Sequence, residues 1–219
     1  MQDWERRIAG IDWRDAERVH PEASAVLTEL AAGGALAELL EQVPDRPDLA
    51  ARCEHLRSLD KLVLFDDPAS GVRLRLHLFK DRYLDLPHNH RWTFTSLMLR
   101  GGYTQYLYGP WHDEVAPPPD LKPTCVQVVQ PGEIYTLDHT VVHSLAADSS
   151  AVTVILRGPV MKERAVWFDR TTSESWLHEG GAGDTRMQPM TGPEVEDVVR
   201  QALAVVRGAS GRAPAEARA

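Results

Sequence analysis

The chain has 219 residues, a formal net charge of −8, 43% hydrophobic and 26% charged residues. That is ordinary for one sizeable globular core. An acidic balance without a concentrated Lys/Arg patch excludes non-specific nucleic-acid binding. The two cysteines, Cys53 and Cys125, lack the spacing of a zinc site or redox pair and are expected to be buried thiols. The first residues lack the basic-then-apolar pattern of a signal peptide, and no apolar run is long enough to span a bilayer. A cytoplasmic protein that binds neither membrane nor nucleic acid is expected.

Residues 1–60 read as helical. Ala25-Val26-Leu27-Leu30 and Leu36-Leu39-Leu40-Val43 space their apolar groups by three and four. Gly33-Gly34 separates the two runs and Pro44 closes the second. A third helix is expected over Pro47 to Leu59, with Pro47 in its first turn. From Lys61 the period falls to two, and residues 61–178 read as a β-barrel. Leu62-Val63-Leu64-Phe65 leads to a turn, and then Val72, Leu74, Leu76 and Leu78 alternate with Arg73, Arg75 and His77. The polar face of this strand meets water, or lines the interior if the sheet closes.

Further strands are expected over 91–99, 103–108, 124–129, 133–137 and 151–156, with Gly101-Gly102 as a hairpin turn and Pro117-Pro118-Pro119 in a loop. Ala165-Val166-Trp167-Phe168 reads as one more strand, with Ser175-Trp176-Leu177 packed on it. Residues 179–207 read as a loop around Gly180-Gly181-Ala182-Gly183 and a C-terminal helix. Thr191 and Glu194 have the spacing of a capping box at its start. Residues 208–219 read as a flexible tail.

The chemistry concentrates in Pro87-His88-Asn89-His90-Arg91-Trp92 and in the stretch from Gly132 to His143. Residues i and i+2 of an extended strand share a face, so His88 and His90 project together and can share a metal with a third ligand. His143 is the best-placed third histidine. His112 and His139 compete for that role, whereas His20 and His55 stand apart from any motif. A ligand imidazole normally has its other nitrogen held, and Glu133 or Asp138 is expected to do that. His77 could add a proton donor, and Tyr103 is the phenol named as a candidate acid. Arg73, Arg75, Arg100 and Arg157 form the pool for binding a substrate carboxylate.

The residues from about 61 to 160 resemble the cupin superfamily. Its first motif places an acidic ligand four or five residues after His-x-His and then a glycine, here met by His88, His90 and Gly101 or Gly102. Its second motif runs from glycine through proline and a second glycine to histidine, with the spacing of Gly132 and His143. Asp138 stands in place of the proline and Thr140 in place of the second glycine. The acidic ligand would fall at Phe94 or Thr95, so a three-histidine site remains. That set is similar to the thiol dioxygenase branch of cupins, which uses iron(II) and dioxygen. The chain departs from that branch at Thr95, where a cross-linked cysteine would lie, and in lacking a Ser-x-His-x-Tyr relay. Residues 88–103 also resemble small bacterial cupins with a Pro-His-x-His-x-Trp-x-Phe pattern.

The resemblance implies a mainly β cupin jelly-roll barrel with helices at both ends, binding Fe(2+) and oxidising a small polar, amino-acid-like substrate with O2. Zinc, nickel, manganese and copper are the alternative metals. The alternatives in function are a redox-neutral isomerase, dehydratase or lyase, and a non-catalytic metal-binding module. A homodimer is implied by resemblance alone.

Overall fold

A computed structural model of the protein describes residues 2–56, 59–80, 83–112, 121–178 and 188–209. Four helices open the chain: α1 (Asp3–Ala9), α2 (Ala16–Ala32), α3 (Ala35–Gln42) and α4 (Pro47–Ala50). Asp15 caps α2 by accepting from the Glu17 amide at 3.0 Å. Helix α2 buries Val19, Ala23, Val26, Leu27 and Leu30, one stripe at helical spacing. Gly34, at φ 80°, turns the chain between α2 and α3 through a left-handed conformation that costs glycine little.

The expected third helix stops at Ala50. Beyond it, β1 (Glu54–Leu56) pairs antiparallel with β2 (Leu59–Asp66), placing Glu54 opposite Lys61 and His55 opposite Asp60. These opposite-sign cross-strand pairs favour the sheet over the helix that local propensity allows. The other strands are β3 (Arg73–Phe79), β4 (Tyr83–Leu84), β5 (Phe94–Arg100), β6 (Tyr103–Pro110), β7 (Cys125–Val129) and β8 (Ile134–Leu137). They are followed by β9 (Val141–Ala147), β10 (Val152–Arg157), β11 (Ala165–Asp169), β12 (Glu174–His178) and β13 (Gln188–Pro189). Strands β1, β4, β9 and β13 were not expected from the sequence. Cys53 is buried as expected, but Cys125 is exposed because β7 is an edge strand.

Two antiparallel sheets build a jelly-roll barrel. The larger has the order β13-β1-β2-β3-β10-β5-β8, and the smaller the order β4-β9-β6-β7. The segment after β4 continues the smaller sheet. His88 and His143 exchange both backbone hydrogen bonds at 2.8 Å, and on the other side Asn89 donates to Val166 and Phe168 to Pro87. The β11–β12 hairpin is thereby joined to the small sheet.

Alternation on β3 sorts the molecule into two interiors. Leu74 and Leu76 join Leu62, Leu97, Val154 and Leu156 in a core with Leu27, Leu30 and Leu40 of the N-terminal helices. Val198 and Val199 of α5 (Gly192–Ala209) belong to the same core. Each such side chain stabilises the fold by roughly 1.5–3 kcal/mol. The other face of the large sheet supplies Phe79, Phe94, Met98, Tyr135 and Leu137 to the barrel interior, where they meet Tyr103, Leu145 and Ala147 of the small sheet. Arg75 and His77 lie on this inner side of β3.

Glu194 accepts from the Thr191 amide at 2.8 Å and from its hydroxyl at 2.7 Å, fixing the start of α5. The helix continues to Ala209, beyond the expected end. Pro117-Pro118-Pro119, the loop at Gly180 to Gly183 and the tail from 210 lie outside the described residues. Among the described residues no single helix is long and apolar enough to cross a membrane; α2 and α3 together reach that length but bend by 79°.

Candidate metal centre

His143 lies in the middle of β9, His88 faces it across an isolated antiparallel bridge, and His90 follows two residues on. One ring nitrogen from each of the three lies within 4.8 Å of the others. The Nε2 atoms of His90 and His143 are 2.8 Å apart. Ring centroids stand 4.7 Å (His88–His90), 4.9 Å (His88–His143) and 5.0 Å (His90–His143) from one another.

Nδ1 of His88 lies 2.8 Å from the Leu86 carbonyl, which can only accept, and 3.4 Å from a carboxylate oxygen of Asp85, so Nδ1 is the donor and Nε2 is left as the candidate ligand atom. The ring is also stacked on Trp167, with centroids at 4.0 Å and planes 7° apart. Burial, followed by the neighbouring His88, pushes His90 and His143 well below the usual 6.5. This favours neutral imidazoles at His90 and His143, the form that ligates metal. Phe94, at the position of a cupin acidic ligand, packs edge-on to His90 at 4.9 Å. Thr95 shares a hydrogen bond with Thr136 at 2.8 Å.

The arginine pool divides sharply. Arg73 is held by both oxygens of Asp66, at 2.6 and 3.1 Å. Arg100 lies exposed at a strand end, donating to the Ser150 carbonyl at 3.1 Å. Arg75 and Arg157 instead converge on Trp92, at 6.0 and 4.5 Å from its ring, and Trp92 stacks near His90 at 6.1 Å. The Nε atoms of both are buried without a partner, while Nη1 of Arg157 donates to the Gly71 and Gly158 carbonyls at 3.3 and 3.1 Å. Burial, then the neighbouring arginines, brings Arg75 down to about 10 and Arg157 to about 9.

The remaining expected residues are placed elsewhere. Tyr103 shares a 2.6 Å hydrogen bond with Tyr135, whose ring packs on Phe94, which in turn touches His90 and His143. The phenol is thus separated from the histidines by a column of rings. His77 sits opposite Thr153 and Lys61, its Nε2 buried and unpartnered. Glu133 is exposed and accepts from the Gln130 amide at 2.6 Å, closing the turn at Gly132. Asp138 accepts from the Thr140 amide and hydroxyl at 2.9 and 2.6 Å, and lies 3.2 Å from His139. Neither carboxylate holds a ring of the triad. Two other residues line the site: Trp92, foreshadowed by the His-x-His-x-Trp spacing, and Trp167, which no motif marked.

No family profile and no curated protein matches the chain. Solved structures do. KdgF from a Halomonas species is similar at 13% identity and a TM-score of 0.37, over 47% of this chain and 82% of that one. An RmlC-like cupin from Shewanella frigidimarina is similar at 14% identity and a TM-score of 0.36, over 48% and 79%. The polyketide cyclase RemF from Streptomyces resistomycificus is similar at 18% identity and a TM-score of 0.35, over 49% and 68%.

Proposed function

We propose that the protein is a mononuclear non-haem iron(II) oxygenase, with His88, His90 and His143 as ligands, that oxidises a small polar, amino-acid-like substrate with O2. The observation that carries this reading is the convergence of three imidazoles with no carboxylate among the ligand atoms. At a metal–nitrogen distance of about 2.1 Å, two ligands at a right angle lie about 3.0 Å apart, whereas tetrahedral ones lie about 3.4 Å apart. The 2.8 Å between the His90 and His143 nitrogens lies below both values and brings the two rings close enough to share one ion. Iron(II) bound this way supplies redox chemistry toward dioxygen and keeps positions free for substrate.

The protein's own groups then bind and orient. Arg75 and Arg157 carry buried, unpaired N–H groups beside Trp92, which suits the carboxylate of an amino-acid-like substrate. An anion there would offset the desolvation that depresses both guanidinium groups. Trp92 and Phe94 flank His90 and exclude water from its side of the site. The test is oxygen uptake by the iron(II)-loaded protein across a panel of small amino and hydroxy acids. Uptake with one of them, lost in Arg157→Met, is the expected result. Turnover of a substrate in the absence of O2 would instead establish redox-neutral chemistry.

A further inference from the structure

We propose that Gln105 is a positioning residue of the metal centre: its amide oxygen accepts the Nδ1 proton of His143 and so holds that ring with Nε2 toward the metal. This rests on the three-histidine reading above. Among the ligands, His143 lacks evident support. His88 has the Leu86 carbonyl at its Nδ1. The Nε2 of His143 faces His90, so Nδ1 is the nitrogen that must carry the proton in a ligating ring. That atom is buried and finds no partner among the described residues. Glu133 and Asp138, the carboxylates that the sequence offered for this task, close turns instead. An unpaired buried N–H costs about 1–3 kcal/mol, and ligand histidines normally have this proton accepted.

Gln105 supplies the missing acceptor from the neighbouring strand. It lies on β6 between Tyr103 and Leu107, which both belong to the interior cluster, and alternation turns all three to that side. Its exposure is 0%, and both Oε1 and Nε2 lack a hydrogen-bond partner. The β6–β9 register sets Leu107 opposite His143 and Gln105 opposite Leu145. Gln105 is therefore the diagonal neighbour of His143 on the same face. Diagonal pairs stand about 7–8 Å apart, within reach of long side chains. An orphaned donor and an orphaned acceptor thus sit in adjacent interior positions, and a side-chain rotation joins them. A neutral amide fixes the tautomer of His143 without adding a charge that burial would penalise.

The test compares the wild-type chain with Gln105→Leu and Gln105→Glu by cobalt(II) titration, read from its visible absorption, and by melting of the metal-free protein. Losing the acceptor should weaken cobalt binding 10–100-fold in Gln105→Leu. The metal-free melting temperature of that variant should change little, since without a metal His143 is free to carry its proton on Nε2, shared with His90. Gln105→Glu keeps an acceptor and should retain binding. Equal affinity in all three proteins would overturn the proposal, as would parallel losses of affinity and metal-free stability in both variants. Absence of cobalt binding by the wild-type chain would overturn the three-histidine reading itself, and the proposal with it.

Discussion

At one end of the barrel interior Phe79, Met98, Tyr103 and Tyr135 fill the space between the sheets, and the two phenols satisfy each other at 2.6 Å. Around the three histidines, the same alternating strands leave nitrogens of Arg75, Arg157 and His143 buried and unpartnered. Burial favours the neutral phenols and the neutral imidazoles of His90 and His143, pushing Tyr135 up to about 12 and the two imidazoles down, while Arg75 and Arg157 stay charged at about 10 and about 9. The difference lies in completion. The aromatic end pairs its two phenols and leaves the Ser96 hydroxyl unpartnered, while the histidine end leaves nitrogens of two arginines and a histidine unpartnered, a desolvation cost that a ligand would offset. One scaffold thus divides stability and chemistry between two layers of its interior.

Substitutions can break that division. Met98→Ala, at the apolar end, should cost about 2–5 kcal/mol of unfolding free energy in denaturant melts. Metal content per folded chain should be unchanged. Loss of metal at equal folded fraction would mean that the two ends are coupled.

A smaller effect is expected from acid. His90 and His143 have folded-state values depressed below their unfolded 6.5, so the unfolded chain takes up protons first as the pH falls. Stability of the metal-free protein is therefore full above 6.5 and is lost on going down from there toward the depressed values. The slope is about 1.4 kcal/mol per pH unit for each histidine. Denaturant midpoints at neutral and mildly acid pH measure it, and a flat profile would mean that the imidazoles are solvated.

Much of this architecture was legible in the chain. The Leu-Arg alternation of β3 encodes one face for the helices and one for the interior, and His88-Asn89-His90 encodes two imidazoles on one side. Strand β9 was hidden because its neighbours cover both sides: Val142 and Ser144 are as buried as His143 and Leu145, so no apolar–polar rhythm marks it. Strand β1 depends on partners distant in sequence, since Glu54 and His55 pair with Gln188 and Pro189 as well as with β2. The partners of Arg73 and Glu133 were hidden for a related reason. Charge and position in the chain are visible in a sequence, whereas Asp66 beside Arg73, or the Gln130 amide above Glu133, is a product of folding. Gln105 shows the converse, a polar residue whose importance comes from the partners it lacks.

The most direct test of the central claim is elemental analysis of the purified protein alongside His88→Ala and His143→Ala. Near-stoichiometric iron in the wild-type chain, lost in both folded variants, is the predicted result. A wild-type protein that holds no metal, even after anaerobic reconstitution with iron(II), would contradict it.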